Sequence, residues 1–200
     1  STPRRRASEN GIGGFWEEGI EIKNDSFSKI ADGLTDLPGK VSAAVKDEKG
    51  KLIFGHNPED VLALGSTFKL FILKALKDKI SAGGASWSDI IELKEGLKSF
   101  PSGMLQDWVA GTPLTIKTLA TLMISISDNT ATDILIDFLG REEIEQYTPD
   151  NRPFLKTKEM FFIKYVASEG LRRKFLKGDE HTRRKILDNL STCRLPTLKA

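Results

Sequence analysis

Three polar residues stand where two apolar helical runs meet, and no other feature constrains this chain as tightly. Residues 114–126 and 130–139 both read as apolar helices, with Leu122-Met123-Ile124 before the break and Ile134-Leu135-Ile136 after it. Ser127-Asp128-Asn129 separates them. Helices this apolar are buried, so the break falls in a buried corner, where polar groups need hydrogen-bond partners. A helix cap accounts for Ser127 or Asp128 serving the second helix. It does not account for three polar groups together. With 15 Ser, 14 Asp and 6 Asn in 200 residues, chance supplies this tripeptide only about 0.03 times, so coincidence is a poor explanation.

The partners are expected from an earlier helix, predicted over 66–80. It opens with Ser66-Thr67-Phe68-Lys69 and continues through Leu70, Phe71, Ile72 and Leu73. A Ser-x-x-Lys pair means little alone: composition gives roughly 1.5 by chance, and Ser26–Lys29 is a second instance. Context separates them. Ser66 and Lys69 lie at helical spacing on one face, and Lys69 is set among apolar neighbours. A lysine there either snorkels to the surface or has its pKa lowered by desolvation. The second is the state a lysine base needs to activate a serine nucleophile. The helix N-terminus would add a positive end for an oxyanion. Ser66 should then lie within hydrogen-bond reach of the Lys69 amine, with Ser127 and Asn129 lining the same cleft.

Composition excludes the broad alternatives. Thirty basic residues against 28 acidic leave a net charge of +2, too balanced to argue for nucleic acid or anionic lipid. Cys193 is the single cysteine, which excludes an internal disulfide and a cysteine-rich zinc site. Neither His56 nor His181 has a second ligand-like neighbour, so no metal and no cofactor are expected. No apolar run is long enough to span a membrane. Arg4-Arg5-Arg6 is followed by polar Ser8-Glu9-Asn10 rather than the apolar core of a signal peptide. The basic clusters Arg172-Arg173-Lys174 and Arg183-Arg184-Lys185 are interleaved with acids and read as solvated helix faces.

Residues 1–24 are expected to form an arm. A short helix is predicted over 27–34, followed by a hairpin from strands 40–46 and 52–56 around the turn Asp47–Gly50. Residues 57–200 read as mainly helical, with no second convincing strand. Further helices are predicted over 158–167, capped by Thr157, and over 179–189. Residues 85–113 are loop-rich, and Ser102 and Gly103 of the Pro101–Gly103 turn are candidates for the mouth of a site. Trp108 beside that loop could wall a cleft or simply pack. Glu142, Glu143 and Glu145 read as a solvated helix start, and Glu159 as an acid complementing a helix dipole.

The stretch from Lys40 to Gly140 resembles the class A serine β-lactamases and their penicillin-binding relatives. The hairpin leading into Leu64-Gly65-Ser66-Thr67-Phe68-Lys69, the phrase Ala110-Gly111-Thr112-Pro113-Leu114-Thr115, and Ile124 to Asp133 carry the resemblance, with Ser127 placed 61 positions after Ser66. It implies an α/β fold plus an all-α lobe, with residues 25–56 giving the helix and hairpin of the first lobe and 57–200 the second. It implies that Ser66 is acylated, Lys69 is its proton partner, Ser127 relays a proton to the leaving nitrogen, and Asn129 binds the substrate's amide. The substrate would be a β-lactam, a peptidoglycan-type peptide or a small ester, at a periplasmic or secreted location. Two family features are missing from the 200 residues. No Lys-Thr-Gly strand follows; Lys156-Thr157-Lys158 precedes a helix. The window for the class A loop glutamate, Phe162–Ala167, contains no Glu. The sheet is therefore expected to lack its C-terminal strands and helix unless a further segment or a partner chain completes it. Deacylation should be slow. A non-catalytic binding or scaffold descendant of the same fold is the rival reading.

Overall fold

A computed structural model describes residues 24–191, and the chain divides into two compact units, 1–63 and 64–200. The arm expected over 1–24 lies outside the described residues except for Asn24, and Cys193 lies outside them too.

In the first unit, helix α1 (Asn24–Thr35) precedes a hairpin of β1 (Ala43–Lys46) and β2 (Leu52–His56). The strands pair antiparallel, Ala43 opposite His56 and Val45 opposite Phe54. Asp47 shapes the turn, its Oδ1 accepting the backbone N–H of Lys49 at 2.9 Å and of Lys51 at 2.8 Å. Gly50 takes φ 81°, a conformation that favours glycine. Phe27 stacks on Phe54 with ring centroids 5.0 Å apart. Val45, Leu52 and Ile53 stay exposed.

The second unit is built around one helix. A 3₁₀ turn (Gly65–Phe68) leads into α2 (Lys69–Ser81). Then come α3 (Ile116–Ser125) and α4 (Asn129–Leu139), the short α5 (Arg141–Glu145), α6 (Thr157–Phe161) with a π turn after it, α7 (Glu169–Lys177) and α8 (Glu180–Ser191). Residues 129–136 of α4 are all buried, because α2, α3 and α6 pack around them. On α3 the buried side chains Ile116, Leu119, Ala120 and Met123 follow the i, i+3, i+4, i+7 spacing of one face. On α2 the buried stripe is Lys69, Ile72, Ala75 and Leu76, while Leu70 is more than half exposed. The lysine is thus buried by its position on the stripe, not because the helix is enclosed on every side.

Several boundaries differ from the sequence reading for local reasons. Residues 113–115 form a strand, β4, paired with β3 (Ile90–Glu92) in an antiparallel ladder. This corrects the expectation of no strand after residue 57; three-residue strands are too short to show alternation. The third helix consequently begins at Ile116, with Thr115 capping it through the N–H of Thr118 at 3.1 Å. Thr157 is the first residue of α6 rather than its cap, because the carboxylate of Asp133 accepts the N–H groups of Thr157 and Lys158 at 2.6 and 3.1 Å. Helix α7, capped by Ser168, was not anticipated; its strongly charged sequence masks a face carrying one buried residue, Phe175.

Candidate active site

The two motifs meet inside the second unit. Ser66 sits exposed on the 3₁₀ turn, and Lys69, one turn later, is 2% exposed. The break between α3 and α4 brings Ser127 to them. Ser127 takes φ 58°, a left-handed conformation that non-glycine residues adopt only when the surroundings enforce it. In that conformation both of its oxygens meet the lysine: Lys69 Nζ donates to the Ser127 carbonyl at 2.7 Å, to Ser127 Oγ at 2.9 Å and to Asn129 Oδ1 at 3.0 Å. Ser127 Oγ in turn donates to Ser66 Oγ at 2.9 Å. The direct bond expected between Ser66 and Lys69 is replaced by this relay, because three acceptors on the α3–α4 break take all three ammonium hydrogens.

Burial pushes the Lys69 amine below the ordinary lysine range, against the opposing pull of Asp128 and Asp133. Neither carboxylate is among the amine's hydrogen-bond partners. Asp128, fully buried, caps α4 through the N–H of Ala131 at 2.9 Å, and its other oxygen accepts the N–H groups of Met104 and Leu105 at 2.7 and 3.0 Å. Asp128 therefore fastens the Pro101–Leu105 loop to the head of α4.

That loop sets the places of Ser102 and Gly103. The Ser102 carbonyl accepts the Asn129 N–H at 2.8 Å. Gly103 has φ +113°, and a Cβ there would lie 2.3 Å from Asp128 Cγ, so only glycine lets the loop approach. Both residues border Asp128 and Asn129 through their backbones. Asn129 uses its side chain at both ends, accepting from Lys69 and donating from Nδ2 to the Phe100 carbonyl at 3.1 Å.

The glutamates nearest in sequence are engaged elsewhere. Glu159, 4% exposed, receives Arg141 through bonds of 2.9 to 3.2 Å and the Lys156 N–H at 2.8 Å. Glu145 is not part of a solvated helix start: it is 3% exposed, accepts the Phe154 N–H at 2.8 Å and pairs with Arg184. Its partners lie too far along the chain for local sequence to reveal them. Residues 162–166, where a loop glutamate would fall, form the π turn. Trp108 is more than a third exposed. Among the described residues, no helix is long and apolar enough to cross a membrane.

Comparison with known proteins follows the same lines. A model of the beta-lactamase enzyme family matches residues 25–167. No curated protein matches the chain significantly. Among solved structures, the chain resembles a β-lactamase from Sphaerobacter thermophilus at 31% identity and TM-score 0.56, over 62% of this chain and 47% of the other. It also resembles the protein PBP-A at 22% identity and TM-score 0.55, over 76% and 67%. A third likeness is to the D-alanyl-D-alanine carboxypeptidase DacD from Francisella tularensis, at 22% and TM-score 0.53, over 62% and 32%. The chain thus spans about half the length of the Sphaerobacter enzyme.

Proposed function

The chain belongs to the beta-lactamase enzyme family, and from that premise we propose that it is an active-site-serine acyl-transfer enzyme acting on a β-lactam, a peptidoglycan-type peptide or a small ester. The observation that carries the reading is the hydrogen-bonded relay from a buried lysine through Ser127 to an exposed Ser66. In this reading Ser66 Oγ attacks the substrate carbonyl and becomes the acyl ester. Its proton passes to Ser127 Oγ as the Ser127 proton passes to neutral Lys69; the reverse transfer delivers a proton to the leaving nitrogen. The relay as it stands points from the amine toward Ser66, the direction of proton delivery. Activation of the nucleophile needs one proton fewer on Lys69, which desolvation favours. Asn129 holds the lysine and borders the substrate's amide, with Ser102 and Gly103 beside it.

The rival, a binding or scaffold descendant, draws on the absence of a Lys-Thr-Gly motif from the sequence. A scaffold, however, has no use for a lysine buried under three acceptors beside an exposed serine. The strands described form two two-stranded ladders, and the chain spans 47% of the Sphaerobacter enzyme. These two facts support a further segment, or a partner chain, that completes the sheet and supplies the second oxyanion donor. Membership of the family supports a periplasmic or secreted placement. The test is covalent labelling with a fluorescent penicillin: signal on the native protein, lost in Ser66→Ala, supports the reading. Equal signal in both proteins contradicts it.

A further inference from the structure

Behind the relay lies a second layer of buried polar side chains that the acyl-transfer reading leaves unused. Asp133 on α4 is fully buried. Its Oδ1 accepts the Thr157 N–H at 2.6 Å and the Thr157 hydroxyl at 2.8 Å, and its Oδ2 accepts the Lys158 N–H at 3.1 Å. Thr157 Oγ1 also lies 2.6 Å from Ser99 Oγ and 3.2 Å from the Asn129 carbonyl. Ser99, 1% exposed, is tied to Thr130 twice, donating its N–H at 2.9 Å and accepting the Thr130 hydroxyl at 3.2 Å through its carbonyl. The residue after it, Phe100, gives the carbonyl that receives Asn129 Nδ2.

A hydroxyl has one hydrogen, and a carboxylate only accepts. Asp133 and the Asn129 carbonyl both only accept; the shorter contact, to the charged oxygen at 2.8 Å, takes the Thr157 hydrogen, and Ser99 Oγ then donates to Thr157. The carboxylate thus sets the polarity of the whole cluster. Three donors converge on it, two on Oδ1 and one on Oδ2; a proton on Oδ1 would set a donor against a donor, and a proton on Oδ2 would remove the charge that strengthens the bonds from Thr157.

We propose that Asp133, Thr157 and Ser99 are positioning residues for the acyl-transfer site: the ionised carboxylate orders Thr157 and Ser99, which hold the Phe100 carbonyl that orients the Asn129 amide, which in turn aims Lys69 at Ser127. The continuous path from Asp133 to Ser66 alternates hydrogen bonds with the single covalent step from Ser99 to Phe100. The proposal rests on the serine acyl-transfer reading for its effect on rate, and on geometry alone for its effect on Asn129.

Burial raises Asp133 to about 6, so the ordering charge is lost within an accessible pH range. The charged groups around it are fixed in place. On α2, Lys69 feels its charge; from α6 come Lys158, whose amine reaches the Gly96 carbonyl, and Glu159, bound to Arg141 of α5; Asp137, one turn on along α4, is paired with Lys156. Asp128 stands at the head of the same helix, bound to loop N–H groups. Glu95, on the turn packed against α4, is paired with Lys98, and Lys117 of α3 is exposed.

The test compares native protein with Asp133→Asn, whose amide mimics the protonated acid, and with Thr157→Val should Asp133→Asn fail to fold. Two readouts are taken from pH 5 to 8: the Asn129 side-chain amide signals by NMR, and the rate of fluorescent penicillin labelling. In native protein the amide signals should shift with a midpoint near 6, and in either variant that shift should vanish. Labelling by the variants should be roughly tenfold slower at pH 8, the scale of one hydrogen bond to a charged group. For Asp133→Asn the gap should close at pH 5. Amide signals in native protein that do not respond to pH, or variant labelling within twofold of native at pH 8, overturn the proposal. A native protein that takes no label leaves the acyl-transfer reading refuted, while the amide titration still decides the positioning role.

Discussion

Lys69 is the residue on which the proposed chemistry turns. It is buried by its place on the inner stripe of α2, and its charge is met by two oxygens of Ser127 and one of Asn129. Since desolvation lowers its pKa, the neutral amine should become available below the pH at which an ordinary lysine loses its proton. Labelling rates should therefore rise with pH and level off on the acid side of the usual lysine range; a rate still climbing through that range would contradict a lysine base. Gly103 answers to a different constraint, since a side chain there would enter the space of Asp128. Gly103→Ala should cost roughly 3 kcal/mol or more through strain and displacement of a buried carboxylate, seen as a fall in melting temperature of about 10 °C. Unchanged melting would show that the loop is not held there. At this scale much of the site was legible in the sequence: Ser66, Lys69, Ser127 and Asn129 were named from motif and context, and they converge. The bond expected between Ser66 and Lys69 was not legible in detail, because it depends on the left-handed turn at Ser127, which leaves no mark in side-chain pattern.

Helix α4 organises the elements around it. Its head is fixed by Asp128 to the loop before α3, and its first turns are fixed by Asp133 to the start of α6. Both clamps join segments more than 20 residues apart, which explains why the helix over 157–161 began one residue earlier than its local cap signal suggested. The long apolar runs were readable as helices from periodicity. The β3–β4 ladder and the buried state of Glu145 were not, since each depends on a partner remote in sequence. A third clamp joins Arg141, at the start of α5, to Glu159 on α6. Glu159→Gln should cost on the order of 3 kcal/mol by leaving Arg141 with an unmatched, largely buried charge, measured by chemical denaturation. The same substitution should leave the lifetime of any Ser66 adduct unchanged. A much longer lifetime would identify Glu159 as the deacylation base.

At the scale of the whole molecule, the proposed acylation by Ser66 is accompanied, among the described residues, by no buried carboxylate free to drive deacylation. Asp128, Asp133, Glu145 and Glu159 are the buried acids among the described residues, and each is committed to backbone N–H groups or to an arginine. An enzyme so equipped should acylate faster than it deacylates. One lost oxyanion donor slows acylation roughly a hundred- to a thousand-fold, so the strands proposed to complete the sheet govern how fast the adduct forms. They do not govern whether it persists. The most direct measurement is a time course of intact-protein mass spectra after mixing the protein with penicillin. The expected result is a single penicillin-sized mass increase that outlasts removal of free penicillin and is absent in Ser66→Ala. Rapid consumption of penicillin with no accumulated adduct, or an adduct that survives Ser66→Ala, would contradict the account.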